Sequence, residues 1–264
     1  MMNSKQKNQF IYQVAQDFLA DMAPAYFQIE KYIPKQTVSS IKEVYTRMIQ
    51  AAQNTNRMPS VIQFYGKNKE IIETILYDLD YQKIKNISPE VLFKEFCEKI
   101  QIKNTDSKQN LWLKWSKSVV DAAKFVADFS NIGEFEKFVH RFHDDPKKLP
   151  LLIGEKIHGM GFSSVCNALK EMGFTDYCDP SKHITDIFCG LGLSKNDKFL
   201  IFDAIVQMSR DCQEIDPQIT PYKVDKIFWL IGSGVFYMED KKVSGRTDEF
   251  IEYVKKEIKR SEFK

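Results

Sequence analysis

The sequence predicts an almost entirely α-helical protein, in which short loops pair the helices and the helices form two lobes. Apolar residues recur at helical spacing in most segments, the first of which runs from Phe10 to about Ala23. Tight turns separate these segments, as at Gly159 and Gly161. One alternating, β-branched run at 58–66 predicts a single short strand, for which no partner is evident.

Length and composition are those of an ordinary globular protein. The 264 residues are 43% hydrophobic and 28% charged, which argues against a disordered chain, and no apolar run is long enough to span a membrane. The first ten residues contain lysines without an apolar core after them, so we expect no secretory signal and a cytoplasmic location. Because the net charge is only +2, any DNA-binding surface is expected to be a local basic patch.

The cysteines and histidines do not form a metal-binding pattern. Five cysteines, an odd number, are scattered without a C-x-x-C pair, which favours reduced thiols over disulfides, zinc or an iron–sulfur cluster. The four histidines include no pair at i, i+4. We therefore expect neither a metal nor another cofactor.

Further helices are predicted along the chain from apolar periodicity and capping residues. They cover 38–53, 68–79, 89–100, 110–129, 135–142 and 194–212. Loops are expected at 54–57 and 101–109, and the second, which is polar and lacks periodicity, marks a lobe boundary or a mobile loop. Trp112 and Trp115 are three residues apart and share one helix face, which would suit an aromatic platform for a base, but we favour core packing for this pair.

The stretch from Leu149 to Leu193 organises the functional interpretation. One apolar helix pattern ends at Gly159-Met160-Gly161 and a second runs on to Met172, so residues 149–173 predict a helix-hairpin-helix. Glycine adopts positive φ and lacks a Cβ, so the turn can be sharp while amide groups at the start of the second helix stay exposed. Such a corner fits a phosphate group, although the same turn also joins helices that contact only each other.

An aspartate follows this hairpin at the predicted start of the next helix. Asp179 occupies the expected N-cap and Pro180 the first helical position. In the simpler interpretation, Asp179 only accepts hydrogen bonds from amide groups of the first turn. In the functional interpretation, its carboxylate lies beside the sugar of an extruded nucleotide, where it stabilises an oxocarbenium-like sugar as the base departs or activates a water molecule.

A second acidic position lies on the helix predicted to start at Thr220-Pro221. Asp225 and Trp229 are one turn apart on that helix. Asp225 is either an exposed acid on the outer face or part of a cleft that it shares with the tryptophan. A stacking ring together with a carboxylate that accepts ring N–H groups is what holding a flipped purine requires, so the pair favours a base pocket.

These segments resemble the helix-hairpin-helix DNA glycosylases, above all the archaeal 8-oxoguanine DNA glycosylases. The resemblance covers roughly the C-terminal half: 179–191 is similar to the family's catalytic-aspartate helix, and 219–237 to its last core helix. It implies a two-lobed helical glycosylase fold and base-excision repair, in which 8-oxoguanine or a related purine is flipped from double-stranded DNA and excised. The site residues that it implies are catalytic Asp179, a base pocket of Asp225, Phe228 and Trp229, and DNA contacts from Lys156, His158, Gly159, Gly161, Ser163, Ser164 and Lys182.

Two departures from the family pattern shape the predicted mechanism. Bifunctional members carry a nucleophilic lysine where this chain has Ser163, so we expect a monofunctional enzyme that uses water and has no lyase activity, unless Lys156 or Lys182 reaches the sugar from elsewhere in the fold. We also expect a monomer. Much of the family reads Asp-x-His-(Val/Ile), and alignment on His183-Ile184 puts Ser181 in the catalytic position and leaves Asp179 as a cap. An inactive DNA-binding module of the same fold is therefore an alternative, and a helical scaffold without nucleic acid is a third.

Overall fold

The computed structural model describes residues 2–54, 58–103 and 105–262. Within them the protein is mostly helical and its strand content is one two-stranded antiparallel ribbon, which confirms the predicted all-α class. The helices are α1 Ser4–Met22, α2 Ile41–Gln53, α3 Met58–Ile62, α4 Lys69–Ile75, α5 Tyr81–Ile84, α6 Pro89–Ile100, α7 Leu111–Val126, α8 Ile132–His140, α9 Lys148–Lys156, α10 Phe162–Glu171, α11 Lys182–Gly190, α12 Lys198–Gln213, α13 Pro221–Ser233 and α14 Thr247–Glu262. A 3-10 helix spans Ile29–Tyr32, and the strands are β1 Val235–Phe236 and β2 Lys241–Lys242.

The chain forms two compact units, and one of them is discontinuous in sequence. The terminal unit consists of 1–35 and 173–264, and the inserted unit of 36–172. Segment 101–109, where a lobe boundary was expected, lies inside the inserted unit instead. Helices α6 and α7, which flank this segment, pack against each other. Residue 104 of that segment and residues 55–57 of the loop predicted at 54–57 lie outside the described residues.

The terminal unit is built around α13, which is buried along almost its whole length. Helices α1, α11 and α12 pack against it. Phe228 of α13 contacts Phe188 of α11 and Phe250 of α14 edge to face, with ring centroids 5.1 and 5.9 Å apart. Burial of these rings stabilises the unit and fixes α13, so polar side chains on α13 are held in defined positions.

The inserted unit is organised around α7. Helices α2, α3, α5, α6 and α9 pack against it. Trp115 is fully buried and its indole nitrogen donates a 3.0 Å hydrogen bond to the carbonyl oxygen of Ile49 on α2. Trp112 is also buried. The interpretation of these two tryptophans as core residues is therefore confirmed, and neither is placed to stack on a base.

The strand predicted at 58–66 is wrong. Residues 58–62 form the short helix α3, and a hydrogen-bonded turn follows in which the Gly66 amide bonds the carbonyl oxygen of Gln63. Met58 and Ile62 are one helical turn apart and both are buried. Of the two β-branched residues in this run, Ile62 faces the core from the helix and Val61 is exposed. Among the described residues, no second strand offers this run the hydrogen bonds that a strand requires.

Candidate active site

Asp179 and Asp225, both singled out from the sequence, meet in the terminal unit. Asp225 lies on the buried helix α13 and is only 1% exposed. Its Oδ2 accepts a 2.5 Å hydrogen bond from the backbone amide of Asp179, in the loop before α11. A buried carboxylate needs such donors, and this one fixes the backbone at Asp179 against α13. Asp225 is therefore not the exposed acid on an outer face that was one of its two interpretations.

The helix after this loop begins later than predicted. The N-cap of α11 is Ser181, and Pro180 precedes it, so Asp179 is not the N-cap and Pro180 is not the first helical residue. The Ser181 amide donates a 2.7 Å hydrogen bond to the carbonyl oxygen of Asp179, and the first helical bond runs from Thr185 to Ser181. Because its own amide is bonded to Asp225, Asp179 is held in the tight turn that comes before the helix.

The side chains of Asp179 and Ser181 differ in what they offer. Asp179 is half-buried, and its Oδ1 atom is itself buried. The Ser181 hydroxyl is buried, makes no capping hydrogen bond to α11 and has no partner among the described residues. Ser181 thus holds the helix-opening position that the resemblance gives to an aspartate, whereas Asp179 supplies the carboxylate two residues earlier.

A close approach of α11 to α13 keeps the two acidic positions together. A Cβ on Gly232 of α13 would lie 2.7 Å from Cβ of His183 on α11, a separation that real side chains do not tolerate. Glycine at 232 therefore lets the first turn of α11 pack directly on α13. His183 is half-buried at this contact, which gives it a packing role.

Lys226 is the polar residue of this region that the sequence interpretation missed. Its side chain is 5% exposed and its ammonium lies among the rings of Tyr222, Trp229 and Tyr237, 5.2–5.3 Å from each centroid. The ammonium also donates a 3.0 Å hydrogen bond to the Tyr237 hydroxyl. A lysine flanked at i−4 and i+3 by aromatic residues was the available signal, because those positions share one helix face.

Tyrosines from three segments support this aromatic group. Tyr237, which directly follows β1, packs edge to face on Tyr32 with centroids 4.8 Å apart. Tyr222 donates a 3.0 Å hydrogen bond to the carbonyl oxygen of Tyr32, whose own hydroxyl donates to Glu239. Burial, reinforced by the Glu239 carboxylate, raises the pKa of Tyr32 above its ordinary value, so its hydroxyl keeps its proton further into the alkaline range than that of an exposed tyrosine.

The three residues predicted to line a base pocket have different surroundings. Phe228 does not fit that role, because it is fully buried between Phe188 and Phe250. Trp229 is half-buried and lies next to exposed Tyr237, at a centroid distance of 6.2 Å. Asp225 is buried and bonded to Asp179, as described above. Trp229 and Tyr237 are therefore the aromatic pair with surface available to a ligand.

The predicted hairpin is a helix–turn–helix formed by α9, residues 157–161 and α10. Helix α7 anchors its turn: Ser118 donates a 2.6 Å hydrogen bond to the carbonyl oxygen of His158, and the Asp121 carboxylate accepts a 3.1 Å bond from the His158 amide. Gly159 has a φ of +78°, as the predicted sharp turn requires. The N-cap of α10 is Gly161, which has no side chain to cap the helix, so the first-turn amides are not bonded to an N-cap side chain.

The residues proposed to contact DNA fall in both units. Lys156, His158, Gly159 and Gly161 are exposed or open to solvent in the inserted unit, and Ser163 and Ser164 at the start of α10 are half-buried there. Lys182 is exposed in the terminal unit, at the start of α11. The structure thus brings Asp179, Asp225 and Trp229 together within the terminal unit and the hairpin residues together within the inserted unit.

Comparison with known proteins assigns no family. Neither a scan of family models, nor a search of curated proteins, nor a search of solved structures finds a match. Among the described residues, no three or more His, Cys, Asp or Glu are grouped so as to hold a metal ion. Over the same part of the chain, no helix combines the length and apolarity needed to cross a membrane.

Proposed function

We propose that the protein is a monofunctional DNA glycosylase that excises 8-oxoguanine or a related purine from double-stranded DNA. The observation that carries the proposal is the hydrogen bond between Asp225 and the Asp179 amide. It ties the backbone of the loop that carries the Asp179 carboxylate to a buried acid, which lies one helical turn from a partly exposed tryptophan. Cleavage of an N-glycosidic bond requires a carboxylate beside the sugar and benefits from an aromatic ring that stacks on the base. Asp179 and Trp229, both held by α13, are suited to these two roles.

In the proposed reaction, Asp179 acts on the sugar of the flipped nucleotide. Its carboxylate stabilises the positive charge that develops on the sugar as the base departs, and it orients or deprotonates the water that attacks the anomeric carbon. Trp229 stacks on the departing purine. The products are the free base and an abasic site, with the strand intact.

The hairpin provides the proposed grip on the DNA backbone. The N-cap of helix α10 is a glycine, so its first amides receive no cap from an N-cap side chain, and a helix N-terminus attracts a phosphate. Lys156 and His158 are exposed beside the turn. Ser163 stands where a bifunctional enzyme has its lysine, so that position offers no amine for a Schiff base and water is the proposed nucleophile.

The test is excision from duplexes that carry a single 8-oxoguanine. We expect the wild-type protein to release the base, to leave the strand uncut until alkali is added, and to form no covalent adduct under borohydride. Asp179→Asn removes the charge with little change in shape and is expected to lower the excision rate by about a hundredfold or more while duplex binding persists. A borohydride-trapped adduct would contradict the monofunctional mechanism.

Ser181→Ala is the matched control for the register of the catalytic residue. If Asp179 acts on the sugar, Ser181→Ala keeps most of the excision activity, because its hydroxyl makes no capping bond and carries no charge. If Ser181→Ala loses excision and Asp179→Asn keeps full activity, Ser181 and not Asp179 occupies the catalytic position.

A DNA-binding module without catalysis is the second candidate, and one observation favours it. Ser181, not an acid, occupies the helix-opening position. This alternative predicts duplex binding that weakens as salt rises, with no base release from 8-oxoguanine, uracil or alkylpurine duplexes. A helical scaffold that does not bind nucleic acid would show no salt-dependent DNA binding at all.

A further inference from the structure

We propose that Lys226 is a specificity-determining residue, which makes the base site select neutral purines and reject purines that carry a positive charge, such as N7-methylguanine. The inference rests on the proposed glycosylase function and adds a substrate class to it. Its basis is the position of the Lys226 ammonium, 5.3 Å from the centroid of the Trp229 ring on which the base is proposed to stack.

The charge of Lys226 is built into the aromatic group. The side chain is 5% exposed, so bulk water screens the ammonium little. Three rings surround it at nearly equal distances, and the Tyr237 hydroxyl accepts a hydrogen bond from it. The Lys226 ammonium is therefore held against Trp229 and Tyr237, the two rings of this group that are not buried.

A cation against an aromatic ring changes what the ring binds next. The ammonium draws the π-electrons of Trp229 toward itself, which weakens the attraction of the ring for a second cation. A neutral, electron-rich purine such as 8-oxoguanine stacks on the ring without this penalty. A positively charged purine stacked on Trp229 would lie about 9 Å from the ammonium, where repulsion at an effective dielectric constant of about 20 weakens binding by about tenfold or more.

The neighbouring acid Asp225 does not reverse the expected effect of removing the Lys226 charge on binding of a cationic base. Asp225 directly precedes Lys226 on α13 and is buried, and its carboxylate would attract a cationic base. That attraction is present both in the wild-type protein and in a variant that lacks only the lysine charge. A comparison of the two proteins therefore isolates the contribution of Lys226.

The experiment compares two duplexes, one with 8-oxoguanine and one with N7-methylguanine, which is cationic as a nucleotide. The measured quantity is the ratio of kcat/KM for N7-methylguanine to kcat/KM for 8-oxoguanine, so that the intrinsic lability of each glycosidic bond cancels between proteins. We expect Lys226→Met, which keeps side-chain length and removes the charge, to raise this ratio by about tenfold.

Lys223→Met is the matched control. Lys223 is also a buried lysine of α13, but it pairs with Asp216 at 3.8 Å and makes none of the described contacts of Lys226 with the aromatic rings. This variant should leave the ratio unchanged. An unchanged ratio in folded Lys226→Met, or an equal rise in both variants, would overturn the inference.

Failure of the proposed function has a different result. If wild-type protein releases neither base, the glycosylase proposal fails, and this inference fails with it. If Lys226→Met does not fold, the inference is tested instead by comparing the affinities of Asp179→Asn for the two duplexes, because that variant binds without excision and keeps Lys226. Tighter binding of the 8-oxoguanine duplex supports the inference, and equal or tighter binding of the N7-methylguanine duplex contradicts it.

Discussion

Asp225, a buried acid on α13, accepts a 2.5 Å hydrogen bond from the backbone amide of Asp179, which lies 46 residues earlier in the sequence. The bond joins the loop before α11 to the core helix of the terminal unit. It has a consequence for stability that does not depend on function, because a part-buried amide would lose its acceptor if the carboxylate were removed.

Asp225→Ala should destabilise the protein by about 2 kcal/mol, the cost of leaving such a donor without its acceptor. Chemical denaturation measures the free energy of unfolding. Asp248→Ala is the control, since Asp248 is exposed in the first turn of α14 and should change that free energy by less than about 0.5 kcal/mol. Equal effects of the two substitutions would show that the Asp179–Asp225 bond adds no net stability.

The two hairpin glycines should respond differently to alanine. Gly159 has a φ of +78°, which alanine adopts only with strain, and an added Cβ would lie 3.3 Å from the Ser118 hydroxyl oxygen. We expect Gly159→Ala to cost about 1–2 kcal/mol of stability and to weaken DNA binding at low salt. An added Cβ on Gly161 meets open space and its φ is −88°, so Gly161→Ala should cost less than about 0.5 kcal/mol.

The helices that the sequence predicted best are those whose ends are set by local chemistry. Ser88 caps α6 through the Val91 amide, and Thr220 caps α13 through the Lys223 amide, in both cases just before a proline. Such signals need only a few neighbouring residues, so they are visible in the sequence. The amphipathic patterns of α9 and α10 were readable for the same reason.

The features that the sequence did not reveal depend on contacts between distant segments. The start of α11 was placed two residues early because the Asp179 amide bonds Asp225, which no local pattern shows. The aromatic surroundings of Lys226 include Tyr237, which lies beyond the end of α13. The unit boundaries depend on helix packing rather than on the polar segment at 101–109. In each case tertiary contacts override the local signal.

Ser181 and Thr220 offer a direct comparison of two N-caps in the same unit. The Thr220 hydroxyl accepts a 3.2 Å hydrogen bond from the Lys223 amide, whereas the Ser181 side chain makes no capping bond. Thr220→Ala should therefore lower the free energy of unfolding by about 1 kcal/mol, and Ser181→Ala by less than about 0.5 kcal/mol. Thermal or chemical denaturation of both variants measures this difference, and a larger loss in Ser181→Ala would contradict the assignment.

Cys212 should make stability depend on pH in the alkaline range. Burial, and then the negative charge of Asp211, raises the pKa of this thiol from 9.0 to about 12. Between these values the unfolded chain loses the proton and the folded protein keeps it, so stability present below pH 9.0 is lost progressively as pH rises toward about 12. Between about pH 8 and pH 10.5, Cys212→Ala should lose about 2 kcal/mol less stability than the wild-type protein. Val206→Ala, an apolar truncation on the same helix, should show the same pH dependence of stability as the wild-type protein. If the stability of Cys212→Ala falls with pH as steeply as that of these two proteins, the prediction is wrong.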